Sequence, residues 1–208
     1  MRTIVIIGAG GNARELAGVI RDIGGFRCLG FLASTAGAYN SPTLGDFDWL
    51  EGNKVDCLAM GIGTPALRLS IGRQLANRFP GIEWPALTHP SAYVGPTCRI
   101  DRGAVICVRA VATENVIVEE FAQLNFGSTI GHESRIGPGV IVNPGANVSG
   151  GVEIGAGTLI GSGAKVLQYL KVGRDAIVGA GAVVTRNVGD NEIALGVPAK
   201  NAARPLHH

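Results

Sequence analysis

Two hydrophobic periods divide the chain. Thr3 to Ile7 is an apolar, β-rich run, Ala13 to Ile23 places its apolar residues at helical spacing, and further apolar runs follow at Phe26 to Leu32 and Val55 to Met60. A second helical stretch spans Pro65 to about Phe79. Alternating strand and helix patterns predict β-α units, and therefore a small parallel sheet with flanking helices. Pro80, Pro85 and Pro90 then punctuate the chain and the helix signals cease. The boundary is expected between Phe79 and Tyr93, giving an α/β region over 1–85 and a second region over 86–208.

The second region has a different period. From Val94, Ile100 and Ile106 through to Val184, sixteen residues spaced six apart are all aliphatic. The residue after them is glycine seven times, and the residue four further on is often small, as at Ala104, Ala122, Ser134 and Ala164. Such a repeat predicts a prism of short strands: the aliphatic points inward and stacks on the coils above and below, small residues fill the corners, and glycines permit the turns. Its regularity argues against any insertion loop between residues 94 and 189.

Composition agrees with this picture and narrows the function. The 208 residues include 32 glycines, are 46% hydrophobic and only 5% aromatic, as a core of small aliphatics with many turns requires. A formal net charge of +2 and the lack of any like-charge run argue against a nucleic-acid partner. No apolar stretch approaches the roughly 20 residues needed to span a bilayer, and the N-terminal apolar run breaks at Gly8, too early for a signal peptide, so a cytoplasmic protein is expected. Cys28, Cys57, Cys98 and Cys107 form no CxxC pair, which reads as free thiols rather than a zinc site or disulfide framework. His207 and His208 end the chain as an adjacent pair and are set aside as tag-like.

The last coil, Gly181 to Val188, followed by Gly196-Val197-Pro198-Ala199-Lys200, carries a further signature. Together with the hexads and the Gly8-Ala9-Gly10-Gly11 loop, it resembles the hexapeptide acetyltransferases that modify bacterial sugars, the sialic acid O-acetyltransferase and bacillosamine N-acetyltransferase group. The resemblance implies an N-terminal Rossmann-like α/β subdomain joined to an all-β left-handed parallel β-helix. It also implies acetyl-CoA as co-substrate, no metal, a sugar or nucleotide-sugar substrate, and a homotrimer with sites between subunits.

The resemblance assigns roles residue by residue. Asn125 to Glu133 matches the family segment that bears the catalytic base, which makes His132 the expected base and Glu133 its supporting carboxylate. Imidazole, with an ordinary pKa of about 6.5, suits removal of a proton from an attacking amine or hydroxyl. Ser162 and Ala180 match positions where backbone amides hold the pantetheine arm, and Ile141 stands where the family has a histidine near the donor. Gly10, Gly11, Asn12, Ala33, Ser34, Gly63 and Arg68 match positions that meet the sugar nucleotide. Among them Asn12 replaces a histidine, and Ala33 and Ser34 replace paired aspartates, so the acceptor is left unnamed.

The glycine loop lacks the complete G-x-G-x-x-G pattern because Ala13 occupies its last position, which argues against a redox dinucleotide. A β-helix zinc enzyme needs three histidines, and the repeats hold only His132. Cys98 and Cys107 occupy positions for small buried residues, where a thiol is inert as a nucleophile. His89, beside Pro90 at the domain junction, reads as structural. O-acetylation of sialic acid or another small acceptor, and a non-catalytic sugar-nucleotide binding protein, remain alternatives to an amino-sugar acetyltransferase.

Overall fold

The structure, a computed structural model, describes residues 1–34 and 43–203, so His207 and His208 lie outside the described residues. The first region comprises β1 (Arg2–Ile7), α1 (Gly11–Ile23), β2 (Phe26–Leu32), α2 (Trp49–Gly52), β3 (Cys57–Met60) and α3 (Pro65–Arg78). The strands form one parallel sheet in the order β2-β1-β3. Ile4 through Ile7 of the central strand are fully buried, as expected for a parallel strand covered on both faces. Side-chain alternation divides them: Ile4 and Ile6 pack with Ala13, Leu16 and Ile20 of α1, while Val5 and Ile7 pack with Leu75 of α3 and with Trp84.

The second region is a parallel β-helix whose coils each carry two-residue strands on three faces. One face runs from Leu87–Thr88 through Val105–Ile106, Gln123–Leu124, Ile141–Val142 and Leu159–Ile160 to Ile177–Val178, and is here called the covered face. The second face runs from Tyr93–Val94 to Val183–Val184, and the third from Arg99–Ile100 to Lys171–Val172. Gln123 pairs with Ile141 and with Val105, a register offset of 18 residues in each direction, so three hexads make one coil. The repeat begins at Leu87–Thr88, one hexad before Val94. At the other end Glu192–Leu195 extends the covered face and pairs antiparallel with Lys200–Ala203.

The inward aliphatics form one continuous core from Ile106 to Val184, with Ala104, Ala122 and Ala164 at its corners. Burial of this stack stabilises the prism by roughly 25 cal/mol per Å2 of apolar surface removed from water. The outward residues of the covered face meet the α/β region. Val105 and Cys107 share an apolar cluster with Ile4, Ala13 and Leu16, while Phe121, at the adjoining corner, meets Trp84 edge-on with centroids 5.0 Å apart. Arg73 of α3 and Arg102 of the prism both pair with Glu120, at 2.7 and 2.9 Å, on the rim of this junction. His89 sits there too, its Nδ1 accepting from the Ser91 amide at 3.0 Å and its Nε2 3.5 Å from Asp22 of α1.

Candidate active site

The α/β region places its loops at one end of the sheet. Gly8 follows β1 with φ +104°, and Gly61 follows β3 where an added Cβ would lie 2.7 Å from Ile6 Cγ2 and 2.8 Å from Ala13 Cβ. Only glycine allows both loops to pass this close. Between them opens a cavity of about 360 Å3 lined by Gly8 to Asn12, Ala33, Ser34, Phe47, Gly61 to Thr64 and Leu67. Helix α1 begins at its floor with Gly10 as an N-cap that makes no side-chain hydrogen bond, and its first turn holds no acidic residue. The first amides of a helix lack intrahelical partners, and with the helix dipole they favour an anion such as a phosphate.

Gly10, Gly11, Asn12, Ala33, Ser34 and Gly63 therefore share one pocket. Arg68 does not, which corrects its expected role of meeting a phosphate or sugar. Its side chain is fully buried beneath the pocket, donating from Nε to the Phe121 carbonyl at 2.7 Å and from Nη1 to the Ile62 carbonyl at 2.8 Å and Gln123 Oε1 at 2.7 Å. Burial lowers its pKa to about 9, still well above neutrality, so the guanidinium stays charged and acts as a rivet between the two regions.

Asn12 lines the pocket, but its amide is engaged. Nδ2 donates to the Gly61 carbonyl at 3.1 Å and to Gln123 Oε1 at 3.2 Å, while Gln123 Nε2 donates back to Asn12 Oδ1 at 2.9 Å. The residue in place of the family's histidine thus joins the pocket to the covered face. Sequence reasoning missed Gln123. The available signal is that Gln123 is the one polar residue among the outward positions Leu87, Val105, Gln123, Ile141, Leu159 and Ile177 of that face.

His132 lies at the corner between the second and third faces, after the strand Thr129–Ile130 and before Arg135–Ile136. Its carbonyl accepts from the Gly151 amide at 2.7 Å, and the Glu133 amide donates to the Glu114 carbonyl at 2.9 Å, so both neighbouring coils hold the turn. Glu133 takes φ +60°, a left-handed corner conformation. The imidazole Nδ1 is 3.5 Å from Glu133 Oε2, with the two side chains 57% and 62% exposed. That separation is at the limit of hydrogen bonding and lies in water, so the carboxylate biases the ring only weakly.

Ser162 and Ala180 are exposed and stack one coil apart, at the corner between the covered and second faces. The Ser162 carbonyl accepts from the Gly181 amide at 2.9 Å. Ile141 is 3% exposed on the covered face, in the row shared with Gln123, and so is not on the surface that carries His132. A triangular coil sets each corner opposite one face. His132 is consequently opposite the face on which the α/β region docks, and within one chain the pocket, the Ser162 corner and His132 are not brought together.

Other features bear on rival chemistry. Burial pushes the Cys107 thiol up to about 12 and also raises Cys57, so neither is a thiolate at neutral pH. Among the described residues no group of three or more histidine, cysteine, aspartate or glutamate side chains could hold a metal ion. No helix among them is long and apolar enough to cross a membrane. A depression of about 470 Å3 on the third face is lined by the ion pairs Arg135–Glu119 and Lys171–Glu153 and includes none of the expected site residues.

A β-helix of six-residue repeats carrying an exposed corner histidine, joined to an α/β domain with a helix-terminus pocket, defines a hexapeptide acyltransferase. The family model for the bacterial transferase hexapeptide (six repeats) matches residues 133–168 and 151–186. PerB from Caulobacter crescentus, solved with CoA and GDP-perosamine, is 30% identical, with 96% of this chain and 97% of that chain covered and a TM-score of 0.89. Histidine-to-asparagine and histidine-to-alanine variants of that perosamine N-acetyltransferase are also among the matches. The acetyltransferase domain of PglB from Neisseria gonorrhoeae, solved with acetyl coenzyme A, is 30% identical over 97% of this chain and 99% of that one, with a TM-score of 0.89. WeeI from Acinetobacter baumannii shares the fold at 23% identity, with 96% of this chain and 99% of that chain covered and a TM-score of 0.82. No curated protein sequence matches the chain significantly. The chain belongs to the hexapeptide-repeat sugar acetyltransferases, and it is an acetyltransferase.

Proposed function

We propose that this enzyme transfers the acetyl group of acetyl-CoA to the amine of a nucleotide-linked amino sugar, with His132 as the general base. The observation that carries the reading is an exposed imidazole at a prism corner in a chain that matches, over nearly all its length, structures solved with CoA, acetyl-CoA or GDP-perosamine. The nucleotide would lie in the α/β pocket with its phosphates toward the α1 N-terminus, and the pantetheine arm along the Ser162–Ala180 corner. The acceptor amine attacks the thioester carbonyl carbon while His132 takes its proton. The C–S bond then breaks and the thiolate receives that proton, leaving an amide and free CoA. No acyl-enzyme is involved.

The placement of His132 opposite the α/β domain supports a homotrimer, because a sugar held in one chain's pocket then meets the histidine of another copy. The second face and its corners offer a contact surface: Tyr93 is 53%, Tyr169 70%, Leu195 57% and Val197 73% exposed. A head-to-tail contact of this kind closes into a ring of three when successive copies are related by a third of a turn. We also place the enzyme in the cytoplasm and its domain boundary near residue 85. Removing a general base lowers turnover by about 100- to 10,000-fold, so His132→Ala should lose thiol release from acetyl-CoA in that range while keeping its fold. Near-wild-type turnover in this variant would reject the assignment. Screening nucleotide-linked amino sugars against free sialic acids separates N- from O-transfer, and absence of thiol release with every acceptor would favour a binding protein. Light scattering that shows a monomer would remove the shared site.

A further inference from the structure

The coil above His132 has no side chain where its ring lies. A Cβ built on Gly150 would meet three atoms of His132 first, Nε2 at 2.5 Å, Cε1 at 2.6 Å and Cδ2 at 3.0 Å. The imidazole therefore occupies the space that a side chain at 150 would fill, with Nε2 nearest to it, while Nδ1 is 3.5 Å from Glu133 Oε2. The adjacent coils carry side chains at the equivalent corner positions, Glu114-Asn115 below His132 and Gln168-Tyr169 above the glycines. Tyr169 lies across Gly151, where a Cβ would be 2.4 Å from its Cδ1. The open notch between these coils is thus at Gly150, over the imidazole.

Gly150 is not in the left-handed region that favours glycine, since its φ lies outside the positive range. Backbone conformation does not require glycine here. The three atoms nearest to an added methyl all belong to the ring of His132.

We infer that Gly150 is a positioning residue for the acetyl transfer: by lacking a side chain it leaves the space in which the His132 imidazole is seated against the next coil, and so sets where the ring presents itself to the acceptor. This inference rests on His132 being the base. Alanine at 150 would displace the ring from 2.5 Å to the 3.4 Å of ordinary van der Waals contact, a shift of about 0.9 Å. A misplacement near 1 Å at a reacting group can lower turnover by about 100-fold. Because the ring is exposed, it can swing into solvent, and the fold should hold.

The test compares wild type, Gly150→Ala, His132→Ala and the double variant by thiol release, with melting temperature as a check on folding. Expected is about a 100-fold fall in kcat for Gly150→Ala with an unchanged KM for acetyl-CoA, and no further loss when Gly150→Ala is added to His132→Ala. A crystal structure of Gly150→Ala should show the imidazole turned away from Nε2's original position. Wild-type kcat in Gly150→Ala overturns the inference and leaves the base assignment standing. An equal fold-loss in the His132→Ala background also overturns it, since Gly150 would then act independently of the ring. Full activity in His132→Ala overturns both.

Discussion

Gln123→Leu is the perturbation that most directly probes how the two regions are joined. The substitution puts an apolar side chain of roughly similar bulk at the buried position but removes an acceptor for Arg68 Nη1 at 2.7 Å and both hydrogen bonds of the amide pair with Asn12, at 3.2 and 2.9 Å. A hydrogen bond to a charged group contributes about 1.5–3 kcal/mol and a neutral one about 0.5–1.5, and a buried donor left without a partner adds its desolvation cost. The extra apolar burial of leucine offsets part of this. The net expectation is about 3 kcal/mol of destabilisation, or a melting temperature lower by roughly 6–12 °C for a chain of this size. Urea denaturation followed by circular dichroism measures it. Pairing the substitution with Arg68→Met tests the coupling, since the two losses should be less than additive for residues in one network. A loss below about 1 kcal/mol for Gln123→Leu, or strict additivity in the pair, would refute the rivet.

Two further expectations follow from geometry. Glu133→Gln should lower kcat less than about fivefold, because the contact with His132 is long and solvent-screened; a hundredfold loss would mean that substrate or a second copy tightens the pair. Iodoacetamide at pH 8 should alkylate exposed Cys28 in the native protein and spare Cys107, whose thiol burial holds protonated up to about 12. Labelling of Cys107 at the rate of Cys28, read by peptide mass spectrometry, would show that the junction opens in solution.

The hexad made the prism legible. Inward and outward positions follow from a local rule, one aliphatic every six residues, so Ile106, Leu124 and Val142 could be assigned to the core without any long-range information. The only revision at its start is the earlier strand Leu87–Thr88, where the residue in register with Ile106 is an exposed threonine rather than a buried aliphatic. The β-α alternation of the first region was equally readable, since burial on both sides of β1 leaves the continuous apolar run Ile4 to Ile7. Gly10, Gly11, Asn12, Ala33, Ser34 and Gly63 line one cavity because chain connectivity brings the ends of three parallel strands together.

What periodicity could not decide was which of three repeating faces the α/β domain covers, because all three carry the same inward pattern and differ only in scattered outward residues. That choice is made by long-range packing of Val105, Cys107, Phe121 and Gln123 on β1, α1 and α3. It explains why Arg68, placed by motif in the sugar site, is instead buried under it, and why Ile141 is covered rather than exposed. The same choice sets His132 on the corner away from the pocket, next to a glycine one coil above. Contacts 18 residues apart are implicit in a repeat, whereas contacts such as Arg68 to Gln123, 55 residues apart, come only from the folded chain.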